Sequence, residues 1–75
     1  MPHSEYGKEF NIAKQVRKHR IALGISQSEL AKMVGVSLAT IVQIEGGRNT
    51  NPTIATLASI AYELDTTVDA LLDLR

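Results

Sequence analysis

Seventy-five residues without a cysteine describe one small domain that has neither a disulfide framework nor a thiolate metal site. The opening MPHSEYGK lacks an apolar segment, and no apolar run approaches the ~20 residues that span a bilayer, so a soluble, cytoplasmic protein is expected. The formal net charge is zero, yet residues 8–48 hold seven of the eight Lys/Arg against three Glu, while residues 49–75 hold one against four acidic residues; a basic portion able to meet phosphate is joined to an acidic remainder.

Residues 1–8, with Pro2, Ser4 and Gly7 and no periodicity, read as a flexible N-terminal arm whose sizeable anchors, with the residues that follow, are Tyr6 and Phe10. Residues 9–75 read as one all-α domain. From Glu9 to Leu23 the residues Ile12, Val16 and Leu23 share a helical face, Lys14, Arg17 and Lys18 face water, and Gly24 closes the helix. Arg20 falls in register with the apolar face, so its charge must find a partner or snorkel outward. His19 reads as a solvated helix residue.

Ser26 and Glu29 form a capping box, which starts a second helix at Gln27 with Leu30, Ala31 and Val34 on its inner face. Gly35 ends it, because a residue just past the last turn often adopts the left-handed conformation that a side chain resists. Ser37 caps a third helix. Ile41 and Ile44 point back at the second helix, leaving Leu38, Ala39, Thr40, Val42 and Gln43 outward. GGRNTN, from Gly46 to Asn51, is a turn-rich loop. Asn51 and Pro52 then read as N-cap and first residue of a fourth helix, with a core stripe of Ile54, Leu57, Ile60, Ala61 and Leu64. Thr67 caps a last helix carrying Val68, Leu71, Leu72 and Leu74. Four aliphatics in so short a helix either seal the core or supply a two-fold dimer contact, and Val68, Leu71 and Leu74 are the expected dimer residues.

Gln27, Ala31, Gly35, Val36, Ile41 and Ile44 resemble the pattern of the helix-turn-helix in phage repressors and Cro proteins, the xenobiotic-response-element class. The likeness runs from about Ile12 to Leu72, since Arg20-Ile21-Ala22-Leu23-Gly24 and Pro52 match the flanks of the same domain. It implies a five-helix, lambda-repressor-like fold that places its recognition helix in the major groove of DNA. Asp65 stands where the family usually has glycine, and aspartate tolerates the left-handed conformation better than most residues.

By this resemblance Ser37, Leu38, Ala39, Thr40 and Gln43 face base edges, with Gln43 the main reader because an amide can donate and accept against adenine. Leu38 and Ala39 depart from the glutamine-rich pattern of some members and can offer thymine methyls only apolar contact. Gln27 is expected on a phosphate at a helix N-terminus, with Arg48, Asn49 and Thr50 on neighbouring phosphates, although Asn49 and Asn51 equally suit a plain polar connector. Arg20 and Glu45 are expected to pair and brace the first helix against the recognition helix.

The expected function is sequence-specific binding of double-stranded DNA by a homodimeric transcription regulator, most simply a repressor on a two-fold operator. The alternative is a protein-interaction module such as an antitoxin subunit. No cofactor, metal, membrane or small-molecule substrate is expected, and no enzymatic activity: His3 and His19 lack ligand spacing and have no catalytic set around them.

Overall fold

The computed structural model describes residues 11–73. The expected arm at residues 1–8 and Leu74 lie outside them. Among the described residues there are five helices: α1 (Ile12–Ala22), α2 (Gln27–Val34), α3 (Leu38–Glu45), α4 (Ile54–Glu63) and α5 (Val68–Leu72). Four of the five begin at a hydroxyl residue whose oxygen accepts a backbone N–H three residues on: Ser26 from Glu29, Ser37 from Thr40, Thr53 from Thr56 and Thr67 from Ala70. Each such cap satisfies one of the donors that a helix start leaves unpaired. At α2 the box is complete, because the Ser26 N–H donates to Glu29 Oε1 at 2.8 Å while Ser26 Oγ accepts from the Glu29 N–H at 3.0 Å.

The turn between α2 and α3 is closed by Gly35 at φ +84°, and the N–H groups of Gly35 and Val36 both donate to the Ala31 carbonyl. The turn between α4 and α5 falls at Asp65, which takes the left-handed conformation expected of it at φ +57°.

Each helix then gives its inner face to one core. Ile12 and Val16 enter from α1, Leu30 and Ala31 from α2, and Ile41 and Ile44 from α3; Leu57, Ile60 and Ala61 from α4 are joined by Leu64 and by Leu71 from α5. Helix α2 packs on α3 and α4, α3 on α1, and α5 on α1 and α4. The ends of the described chain meet, since the Asn11 N–H donates to the Leu72 carbonyl at 3.3 Å.

Several expectations are corrected. Helix α4 starts at Ile54, two residues later than Pro52, because Thr53 rather than Asn51 provides the capping oxygen. The shift leaves Ile54 in the first turn and 77% exposed instead of in the core. Leu23 is likewise 48% exposed: it is the C-cap of α1, at the end of the helix where the chain turns away, and Ile25 after the turn packs against the core. Leu71, expected in a dimer contact, is 0% exposed within its own chain and offers no surface to a second copy. Val68 and Leu72 are half-buried against the same core.

Candidate nucleic-acid interface

Helix α3 buries Ile41, Ile44 and Glu45 and turns Leu38, Ala39, Val42 and Gln43 to the exterior. The outward face follows from helical geometry, since residues three or four apart share a side and the two isoleucines fix which side is inner. Ser37 is exposed and Thr40 half-buried, and their hydroxyls bond each other at 2.9 Å as part of the cap. Ser37 Oγ, which also accepts the Thr40 N–H, therefore carries two structural bonds and Thr40 Oγ1 one, and each keeps further capacity for a ligand.

What holds this face in place is a buried carboxylate. The Glu45 side chain is 1% exposed, a position that an unpaired charge could not occupy. Arg20 answers it in the bidentate manner that a planar guanidinium allows: Nε donates to Oε2 at 2.7 Å and Nη2 to Oε1 at 2.9 Å. Its remaining arm, Nη1, donates to the Ile25 carbonyl at 2.9 Å and ties the turn after α1 to the same centre. The hydrogen bond to Glu45 holds the guanidinium pKa above its ordinary value, an effect opposed by desolvation and reinforced by the carboxylate charge.

Gln27 joins the centre from the start of α2, donating from Nε2 to Glu45 Oε1 at 3.2 Å. Its amide, expected to serve a phosphate, is thus shared with the carboxylate: one N–H holds Glu45, while the second N–H and the carbonyl oxygen remain. Arg17 completes the set. Its Nη2 donates to the main-chain carbonyl of Glu45 at 2.8 Å, and its Nε lies 3.8 Å from Oε1. Among the described residues no buried side-chain nitrogen or oxygen lacks a partner. Side chains from two helices, α1 and α2, therefore converge on a single residue at the end of α3.

The loop after α3 is built on α3 itself. The Arg48 and Asn49 N–H groups both donate to the Gln43 carbonyl, at 2.9 and 3.1 Å, and Gly47 at φ +76° permits the reversal. Arg48 and Thr50 are exposed. Asn49 is half-buried, and its side-chain oxygen accepts the Asn51 N–H at 3.1 Å, the Asx-turn of a polar connector. Gln27 and Arg48 are thus both tied to α3 beside its outward face, with Asn49 shaping the loop.

Two residues escaped the reading from sequence. Arg17, expected to face water with Lys14 and Lys18, reaches Glu45 instead, because its spacing of three from Arg20 places both arginines on one side of α1. His19 is half-buried rather than solvated: Nδ1 donates to the Gln15 carbonyl at 2.9 Å, and Nε2 shares a 3.3 Å hydrogen bond with Thr66 Oγ1. No local pattern announces that second contact, since Thr66 is far along the chain. Among the described residues there is no group of three His, Asp or Glu placed to hold a metal ion, and no helix long and apolar enough to cross a membrane.

Comparison with known proteins adds three points. Residues 16–71 match the family model described as helix-turn-helix. The transcriptional regulator SinR of Bacillus subtilis (strain 168) is 37% identical over 62 residues, which cover 83% of this chain and 56% of SinR; the chain thus spans little more than half of that relative's length. Two solved structures superpose on it with a TM-score of 0.79 at 37% identity, each over 83% of this chain. One is SinR, the master regulator for biofilm formation, in complex with DNA, matched over 98% of that chain; the other is a complex of SinR and SinI proteins, matched over 60% of its chain.

Proposed function

Because the chain belongs to the helix-turn-helix family, in its phage-repressor and Cro-like, xenobiotic-response-element class, we propose that it binds duplex DNA and regulates transcription by occupying its site. The observation that carries this reading is the exposed face of α3 held rigid by the buried Glu45 centre. A helix of this diameter fits the major groove, where each base pair shows a distinct set of donors, acceptors and the thymine methyl.

In that pose Gln43 donates to and accepts from an adenine edge, while Leu38, Ala39 and Val42 lie against thymine methyls. With a single amide on the face, much of the sequence preference comes from the shape and deformability of the duplex. Ser37 and Thr40 use the capacity left by their mutual bond on a base or phosphate oxygen. Gln27 and the N-terminal amides of α2 take a phosphate on one side, and Arg48 with Thr50 takes one on the other. The protein acts as a two-fold homodimer on half-sites about 34 Å apart, one helical turn, and works as a repressor by excluding other proteins from the operator. Arg20 and Glu45 touch no DNA in this scheme; they fix the angle of α3.

Selection of duplexes from a randomised pool at about 50 mM salt tests the reading, since phosphate-driven affinity fades as counterions accumulate. Enrichment of an inverted repeat is the expected result. A folded protein that enriches nothing overturns it in favour of a protein-interaction module, the reading favoured by the zero net charge and by the solved complex of a relative with a second protein.

A further inference from the structure

Helix α3 ends with four carbonyl groups that no later turn of the helix can satisfy. The chain answers three of them itself: Gly46 N–H donates to Val42 at 2.9 Å, Arg48 and Asn49 to Gln43, and Gly47 to Ile44 at 3.2 Å. The fourth, that of Glu45, is met from another helix by Arg17 at 2.8 Å. Helix α3 has no basic residue in its own last turn, so the cation that complements the negative end of its dipole also comes from α1.

Two arginines one turn apart on α1 therefore hold the same residue in different ways. Arg20 grips the Glu45 carboxylate, and Arg17 grips the Glu45 main chain. Ile41 and Ile44 pack α3 into the core, and the two arginine anchors, pulling in different directions, add to that packing a constraint on the roll of its last turn. Gln43, two residues earlier, and the loop bonded to its carbonyl inherit that orientation. The Arg17 side chain is 54% exposed, so the bond sits at the rim, and the rigid guanidinium plane that carries it places Nε 3.8 Å from Glu45 Oε1 at the same time, a direction a flexible ammonium does not pre-set.

We propose that Arg17 is a positioning residue for base reading, acting as an interhelical C-cap that sets the roll of the recognition helix and the placement of the 48–50 loop. The proposal rests on the DNA-binding reading above, and its test separates the two. Arg17→Lys keeps the positive charge but loses the fork, and Arg17→Met loses both while keeping the apolar stem.

Amide hydrogen exchange without DNA is the first readout: both variants are expected to speed exchange at Gly46 to Asn49 by about five- to tenfold, in line with the loss of a partly exposed charge-assisted hydrogen bond. The second is affinity for the selected duplex relative to a scrambled one, measured across salt concentrations. Arg17→Lys is expected to lower that ratio by about five- to tenfold with the salt slope unchanged. If the lysine variant keeps both the exchange rates and the ratio of the parent protein, the proposal is overturned. It is equally overturned if Arg17→Met weakens every duplex alike, with a shallower salt slope, while exchange at Gly46 to Asn49 stays as in the parent; that pattern marks a phosphate contact alone. A parent protein that selects no duplex removes the DNA-binding reading, while the exchange rates still decide whether Arg17 caps α3.

Discussion

Gln43 and Arg48 are neighbours through one atom, the Gln43 carbonyl oxygen that accepts the Arg48 N–H, yet their side chains are suited to different tasks. In the proposed DNA-bound pose the amide of Gln43 discriminates among base edges, whereas the guanidinium of Arg48 meets a phosphate, which every base pair carries. Gln43→Ala should therefore cost about 1 to 3 kcal/mol at a single base pair and leave other positions of the site alone. Arg48→Ala should weaken all duplexes similarly and reduce the salt slope by about one. Binding of the two variants to a panel of single-base substitutions separates the roles, and identical panels for both would defeat the assignment. The residue scale also shows where reading from sequence falls short. Gln27 and Arg17 present polar heads that a solvated surface would suit equally well, and only the position of Glu45 turns them inward.

At the scale of the element, helix boundaries are governed by contacts within three or four residues, which is why α2 and α3 begin where the sequence indicates and α4 does not. Asn51-Pro52 and Thr53 compete as start signals, and the Thr53 hydroxyl holds the Thr56 N–H. The Ser26–Glu29 box provides a pH-dependent test of this local control. The Ser26 N–H, and then the Ser26 hydroxyl, lower the Glu29 pKa from its ordinary value by bonding the charged carboxylate. A carboxylate favoured in the folded state stabilises it fully above the ordinary carboxylate range and ceases to do so as the pH falls through the lowered pKa. The melting temperature of Glu29→Gln should hence lie below that of the parent protein at neutral pH and converge with it in acid. A gap that stays constant down to pH 2 would show that the charge of Glu29 is irrelevant to the cap.

For the molecule as a whole, the use of α5 decides between two designs. An aliphatic on the last helix can seal the core or bridge two subunits, and Leu71 seals the core, with Val68 and Leu72 packed beside it. Leu71→Ala should therefore destabilise the isolated chain by about 2 to 5 kcal/mol, the usual cost of a cavity left by a buried leucine. That is a large share of the roughly 5 to 15 kcal/mol that holds a small domain together. Denaturant unfolding should report the loss equally at low and high protein concentration. A destabilisation that disappears on dilution would instead place Leu71 between subunits. In the proposed DNA-binding reading the division of charge along the chain, basic before Asn49 and acidic after it, acts at this scale too, orienting the approach to a polyanion.

The sequence by itself determined the helical class, the turn at Gly35, the start of α3 and the residues on its outward face. All of these depend on hydrogen bonds and side-chain periodicity over a few neighbouring positions, and such information is written locally. The arginine–glutamate pair was legible only through family resemblance. The tertiary structure alone decided that Arg17 reaches the Glu45 carbonyl, that Gln27 shares its amide with the same residue and that His19 meets Thr66. It likewise decided that Leu71 lies inside while Leu23 and Ile54 lie outside. The physical reason is distance along the chain: these contacts join residues 18 to 47 positions apart, or depend on where a helix end falls, and they exist only once the packed core has fixed how the helices cross.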